Sequence, residues 1–288
     1  MKNIAVTGGT DGVGRAVAIA ALRRGHSVLV VGSSAAKGRA LLDEAARNGV
    51  GDRLEFIAAD LRLISENGRL LDELHDRFTR LDRLVLCAQR YRTVWATTSE
   101  GIEENFALTY LSRFILSYGA RDLLVKGDDP AIVNVCGTGT PIGRVQWDNL
   151  RFTVRRSGFS ALMQANRASD LLGVAFARHG GDQGVRFVLY NPDFVRTNLQ
   201  RKLDQPWRTV ALALVTVLGK PIGEGVRPLL DIMDRVPQES LSAFRGRHRI
   251  DMGSRVFSPG YDPTDARRLR SATDHMLAEQ GRQDLRSS

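Results

Sequence analysis

The sequence predicts a single α/β domain in which a parallel sheet is covered by helices on both faces. Three observations predict it. Short runs rich in Val, Ile and Leu alternate with longer amphipathic stretches; the runs are nearly continuous in apolar residues, as strands buried on both faces are; and the first run passes through a glycine-rich turn straight into a helical sequence. A chain of 288 residues can bury an ample core as one domain over residues 1–288.

The first run, Asn3–Val6, ends in Thr7-Gly8-Gly9-Thr10-Asp11-Gly12-Val13-Gly14, and a helical sequence begins at Arg15. Glycine has no Cβ, so the backbone can take positive φ and a phosphate can approach the main chain closely. The helix that follows points its unpaired N–H groups and positive dipole end at that phosphate. Gly8, Gly12 and Gly14, set between a strand and a helix, therefore predict a dinucleotide-binding turn, the alternative being a tight turn with no ligand. Farther on, Ser27–Val31, Leu54–Ala58, Arg83–Cys87, Ala131–Cys136 and Val185–Tyr190 read as strands, and 35–48, 65–79, 100–125 and 157–179 as helices. Gly223–Met233 reads as a helix, Leu241–Phe244 as a last edge strand, Asp262–Gln280 as a charged surface helix and Arg282–Ser288 as a frayed end, so that 262–288 form a C-terminal surface helix and tail.

Ligands of a parallel sheet bind at the carboxyl ends of its strands. After the second strand stands Gly32-Ser33-Ser34, with no carboxylate to take a ribose 2′-hydroxyl and repel a 2′-phosphate. Ser33 and Ser34 can donate to that phosphate, and Arg15 and Lys37 are the nearest cations in sequence; Asp11 argues the other way. NADP(H) is favoured over NAD(H). Asp60 follows the third strand, where it either accepts from an adenine amino group or caps a helix.

The chain carries 41 basic and 32 acidic residues, a net charge of +9. Such a balance raises nucleic acid as a partner. However, the arginines are scattered and no zinc-finger or RNA-recognition pattern accompanies them, so neither nucleic acid nor a metal is expected. Lys2 leads directly into a strand, unlike an export signal. The longest apolar candidate, Val210–Leu218, is about half of a membrane span. No membrane partner and a cytoplasmic location are expected. Cys87 and Cys136 close apolar runs, where a reduced thiol behaves as a small hydrophobe.

The ordered motifs Thr7-Gly8-x3-Gly12-x-Gly14, Asp60-Leu61, Leu81-Asp82-x2-Val85-Leu86-Cys87-Ala88 and Asn191-Pro192-Asp193-Phe194-Val195-Arg196-Thr197 resemble those of the short-chain dehydrogenases/reductases. Gly38 after Lys37, Gly101-Ile102-Glu103 before Phe106, and Trp147-Asp148-x-Leu150 are similar to the retinol-dehydrogenase-like branch. The resemblance implies a doubly wound, Rossmann-type sheet of about seven strands, often dimeric or tetrameric. It places Thr7, Gly8, Thr10, Asp11, Gly12, Val13, Gly14, Ser33, Ser34, Asp60, Leu61, Cys87, Ala88, Gln89, Arg167, Pro192, Val195 and Thr197 around the cofactor, with Val195 and Thr197 on the nicotinamide carboxamide. It also implies a helical substrate lid over about 198–220, where Trp207, Val210 and Leu214 suit a large, flat, apolar ligand; a packed or dimerisation helix is the alternative.

The family's Asn, Ser, Tyr and Lys are all replaced here. Thr109 stands at the Asn position, Gly137 at the Ser position beside Cys136 and Thr138, Met163 at the Tyr position and Arg167 at the Lys position. A thioether has no proton to give. A guanidinium stays protonated, so Arg167 can hold ribose hydroxyls but not relay protons. Hydride transfer needs positioning rather than a tyrosine. The proton is then left to an ordered water, to Thr138 or Tyr190, or to a substrate hydroxyl beside the ketone. Three readings follow: a ketoreductase acting on a bulky aromatic ketone, an NADP(H)-binding regulator without turnover, and a non-redox enzyme such as a dehydratase.

Overall fold

The computed structural model describes residues 1–92, 94–151, 154, 157–180, 184–193, 221–253 and 260–285. Eight strands form one sheet: β1 (Asn3–Thr7), β2 (Ser27–Gly32), β3 (Leu54–Ala58), β4 (Arg83–Leu86), β5 (Ala131–Val135), β6 (Arg186–Asn191), β7 (Leu241–Arg245) and β8 (His248–Arg249). Their order is β3-β2-β1-β4-β5-β6-β7-β8, and every neighbouring pair from β3 to β7 runs parallel. The order reverses between β1 and β4, which opens a crevice at their carboxyl ends. Leu241–Phe244 is not the edge: β8 turns back antiparallel on β7, pairing Phe244 with Arg249 and Arg245 with His248.

Helices α1 (Gly12–Arg23), α2 (Ala35–Arg47) and α8 (Ile222–Asp234) cover one face, burying Val17, Leu22, Leu41 and Leu229 with Val6, Val30 and Val188. The other face carries α3 (Ile64–Arg77), α4 (Glu104–Phe106), α5 (Ser112–Gly119), α6 (Arg121–Val125), α7 (Gly158–Gly180) and α9 (Pro263–Glu279). Gly38 lets α2 lie flush on β3, since a Cβ there would run into the Phe56 ring.

The stretch read as one helix over 100–125 is divided. A π-helical turn, Ala107–Leu111, joins α4 to α5, and the chain breaks at Ala120 before α6. Phe106, Tyr110, Phe114 and Tyr118 recur at every fourth residue and keep their rings 4.8–6.1 Å apart. Tilted aromatic pairs of this kind add about 0.5–1.5 kcal/mol each beyond their burial. α9 is not merely a surface helix: Ala266, Leu269, Thr273, Met276 and Leu277 are buried, and the Thr273 hydroxyl meets that of Tyr110 at 2.6 Å. The segment read as frayed holds a 3-10 turn, Gln283–Leu285, with Leu285 buried.

Candidate active site

The glycine turn lies against the end of β4. Gly8 and Gly12 take positive φ, +67° and +54°. A Cβ on Gly8 would sit 2.7 Å from Ala88 Cα, and one on Gly14 2.5 Å from the Gly8 carbonyl oxygen. Glycine is therefore required by close approach. The Gly8 N–H donates to Val31 O at 2.8 Å, and the Ala88 N–H donates to the Thr7 hydroxyl at 3.2 Å, which pins the turn to β2 and to the β4 exit. Thr10 packs on Gly32, Val13 against the core edge, and Leu61 within the core. Thr7, Gly8, Gly12, Gly14, Cys87, Ala88 and Gln89 thus meet at the crevice, with the Gln89 amide donating to the Tyr91 hydroxyl at 3.0 Å. The first-turn N–H groups of α1 lack intrahelical acceptors, as at any helix start. Asp11 caps α1, accepting from Gly12 N–H at 2.8 Å, and also pairs with Lys37 at 2.5 Å.

Ser33 is exposed after β2, and Ser34 caps α2 by accepting from the Lys37 N–H at 3.3 Å. The two cations nearest in sequence are both engaged, Lys37 by Asp11 and Arg15 by Glu44. Asp60 does not cap a helix. Its carboxylate is gripped by Arg62, at 2.9 Å from Nε to Oδ1 and 2.6 Å from Nη2 to Oδ2, while Leu63 is the N-cap of α3. That grip holds Asp60 below the usual carboxylate range.

Thr109 is buried in the π-helical turn with its hydroxyl lacking a hydrogen-bond partner, while its carbonyl accepts from Ser169 at 2.8 Å. Turns of this kind recur at functional sites. Met163 is half-buried. Arg167 is buried and turns its donors on the loop after β5, Nε to Gly143 O and Nη2 to Thr140 O, each at 3.3 Å. The ribose role anticipated for it would compete with these bonds. Thr138 is buried, and its hydroxyl lies 2.7 Å from that of Tyr261. It also hydrogen-bonds the carboxyl of Asp170, which desolvation pushes up to about 7. Asn191, ending β6, donates to Thr138 O at 3.0 Å, so the β5 and β6 ends are tied where Pro192 follows.

Tyr190 is not near these groups. Successive residues of a strand face opposite sides of the sheet, and its hydroxyl points to Gly225 O of α8 at 3.4 Å, on the α1 face. Val195, Thr197, Trp207, Val210 and Leu214, with the lid region, lie outside the described residues. Cys87 and Cys136 are free thiols, and burial pushes Cys136 up to about 12. Among the described residues no group of His, Cys, Asp or Glu could hold a metal ion, and no helix is long and apolar enough to cross a membrane.

Sequence reasoning missed Arg113, Asn166, Asp170 and Tyr261 as site residues. Arg113 is buried and donates to Asn134 Oδ1 at 2.5 Å, Val135 O at 2.8 Å and Ala88 O at 3.1 Å, tying the β4 and β5 exits. Among the described residues no carboxylate pairs with it, and burial lowers its proton affinity. Its signal was an arginine inside the apolar run Phe106–Leu116. Asn166 and Asp170 stand one helical turn apart in α7, a spacing that puts both on one face. Tyr261, remote in sequence, gave no local signal.

A doubly wound sheet, a close-packed glycine turn at its crevice and buried polar groups at the β5 exit define a nucleotide-dependent oxidoreductase architecture. The chain belongs to the short-chain dehydrogenase family, whose description matches residues 2–149. A candidate daunorubicin C-13 ketoreductase, DnrU, from Streptomyces sp. (strain C5) is 29% identical over 203 residues, covering 69% of this chain and 68% of that protein. Human retinol dehydrogenase 13 is 23% identical over 201 residues, covering 69% of this chain and 61% of its own. Among solved structures, a short-chain dehydrogenase from Sphingobium yanoikuyae in complex with NADPH superposes with a TM-score of 0.61 at 20% identity, covering 97% of this chain and 96% of that one.

Proposed function

We propose that the chain is an NADPH-dependent ketoreductase acting on a bulky, polycyclic aromatic, polyketide-like ketone, with the proton drawn from a substrate hydroxyl or from water. The observation that carries this reading is a glycine cradle kept close-packed beside a site whose tyrosine position holds Met163. The turn fits a nicotinamide dinucleotide because α1 begins at Gly12, directly after it, and presents first-turn N–H groups without intrahelical acceptors to a diphosphate, while Gly8 and Gly14 let the turn seat against the β4 exit. When bound, that cofactor supplies the hydride. Thr7 to Gly14 would hold the diphosphate, Ser33, Ser34 and Lys37 the 2′-phosphate, Asp60 and Leu61 the adenine, Cys87 to Gln89 the adjoining ribose, and Pro192, Val195 and Thr197 the carboxamide.

Met163 would meet an aromatic face, which a polarizable thioether suits. A phenolic hydroxyl beside the ketone, already bridged to the carbonyl oxygen, can pass its proton as charge develops there. Thr138 is the side-chain alternative. Proton delivery is typically worth about 10²–10⁴-fold, so a substrate that carries its own donor recovers much of what the missing tyrosine forfeits. The kinship with DnrU, a candidate daunorubicin C-13 ketoreductase, supports ketone reduction and a place in antibiotic tailoring; the lost tyrosine is a resemblance to the angucyclinone ketoreductase of simocyclinone biosynthesis. A cytoplasmic, homo-oligomeric enzyme with a lid over about 198–220 completes the proposal.

The test is NADPH oxidation by the purified chain with a hydroxytetralone, a hydroxyanthraquinone and simple aliphatic ketones. Turnover confined to the hydroxylated aromatic ketones is expected, and no turnover across the panel overturns the reading. A regulator that binds NADP(H) without turnover is the second reading, favoured by Arg167 being spent on Thr140 and Gly143. It predicts tight NADPH binding by calorimetry with no hydride transfer.

A further inference from the structure

Gly137 stands where relatives of this fold carry the serine that steadies the carbonyl, and the structure explains the glycine. A Cβ built there would lie 2.7 Å from Nδ2 of Asn166, 2.9 Å from its Cγ and 3.1 Å from its Oδ1. The carboxamide of Asn166 therefore fills the volume that a side chain at 137 would occupy. Asn166 is 4% exposed, and its Oδ1 is buried without a hydrogen-bond partner. A buried amide left partly unsatisfied costs about 1–3 kcal/mol, so a purely structural filler of that gap would be better made of carbon. It stands three residues from Met163 on α7, a spacing that puts both on one helix face. The Thr109 hydroxyl, at the position of the family's asparagine, is also buried and unpartnered.

We infer that Asn166 is a catalytic residue: its carboxamide takes both the place and the task of the missing serine, the Nδ2–H donating to the substrate's ketone oxygen. This rests on the ketoreductase reading. In the reaction a C–H bond forms at the ketone carbon as the hydride arrives, and the C=O π pair moves onto oxygen. The oxygen then takes a proton from the substrate hydroxyl or water. Asn166 neither gains nor loses a proton; it holds the oxygen through the change of charge.

Asn166→Ala, Gly137→Ser and the double variant test it by thermal unfolding, by NADPH affinity and by kinetics with the hydroxyanthraquinone. Gly137→Ser alone should lower the melting temperature by about 2–8 °C, because its Cβ meets the carboxamide, and the double variant should recover most of that loss. Asn166→Ala should cut kcat by roughly 10²–10³-fold while NADPH affinity stays within about twofold. The serine of the double variant should restore at least about tenfold of the rate, which a merely structural asparagine would not predict. Strictly additive melting shifts, or a kcat for Asn166→Ala within about threefold of the parent, overturn the inference. Failure of the parent protein itself to bind or reduce the ketones overturns the ketoreductase reading instead, and with it the role of Asn166.

Discussion

The hydroxyl of Thr138, at the exit of β5, lies 2.7 Å from the phenolic hydroxyl of Tyr261, 123 residues farther along the chain. Thr138 also reaches Asp170, so three side chains from β5, α7 and the segment before α9 form one buried chain of hydrogen bonds. Tyr261→Phe removes one link and keeps the ring. The loss should be about 0.5–1.5 kcal/mol of stability, measured by urea unfolding. NADPH affinity, measured by calorimetry, should not change.

Asp170 gives that chain a pH dependence. Its carboxyl is buried with one oxygen unpartnered, and desolvation raises it from near 3.8 to about 7. Between those values the folded protein holds a proton that the unfolded chain has released. The contribution to stability therefore falls as pH rises through this window and is lowest above about 7. Asp170→Asn, neutral at every pH, should abolish the slope. The parent should lose roughly 2–4 kcal/mol more than the variant between about pH 5 and pH 8, followed by denaturant unfolding at each pH.

Arg113 is a cation that holds carbonyls. Replacing it with Met leaves Val135 O, Ala88 O and Asn134 Oδ1 without their donor at the exits of β4 and β5. The expected cost is about 3–5 kcal/mol, seen as a lowered melting temperature, and Arg113→Lys should recover only part because one ammonium cannot span three acceptors in a plane. An unchanged melting temperature for Arg113→Met would show that these carbonyls find water instead.

Lys37 bears on the choice of cofactor. It is half-exposed and paired with Asp11, so a 2′-phosphate would have to share it with that carboxylate. Lys37→Ala should weaken NADPH about 3–10-fold and leave NADH within about twofold, both read by calorimetry. Asp11→Asn should strengthen NADPH by freeing the ammonium.

The sheet was legible because β1, β2, β4, β5 and β6 are buried on both faces, and their apolar runs say so residue by residue. The glycine turn was legible for the same local reason: Gly8, Gly12 and Gly14 each answer a steric demand within a few residues or at the neighbouring strand. The break of 100–125 into α4, a π-helical turn, α5 and α6 was not, because neither glycine nor proline marks Ala107, and Gly119, which ends α5, is a single glycine inside an otherwise helical pattern. Asp60 was read for adenine or a cap, although its partner Arg62 stands two residues on. β8 is too short to show alternation. The contacts that shape the site, Thr138 with Tyr261 and Gly137 with Asn166, join segments whose proximity only the folded chain creates.

The glycine before Tyr261 lets the last part of the site seat against α7. A Cβ on Gly260 would run into the Arg167 guanidinium, so the chain passes directly against α7 there before α9 docks on the same helix. The strands that open the crevice, β1 and β4, precede β7 in the chain, whereas Tyr261, the partner of the Thr138 hydroxyl, follows it. The polar chain closes only once residue 261 has been made and reaches Thr138. The crevice and the buried polar chain are thus completed by stretches of polypeptide far apart in sequence, the second depending on a residue 123 positions beyond the first partner.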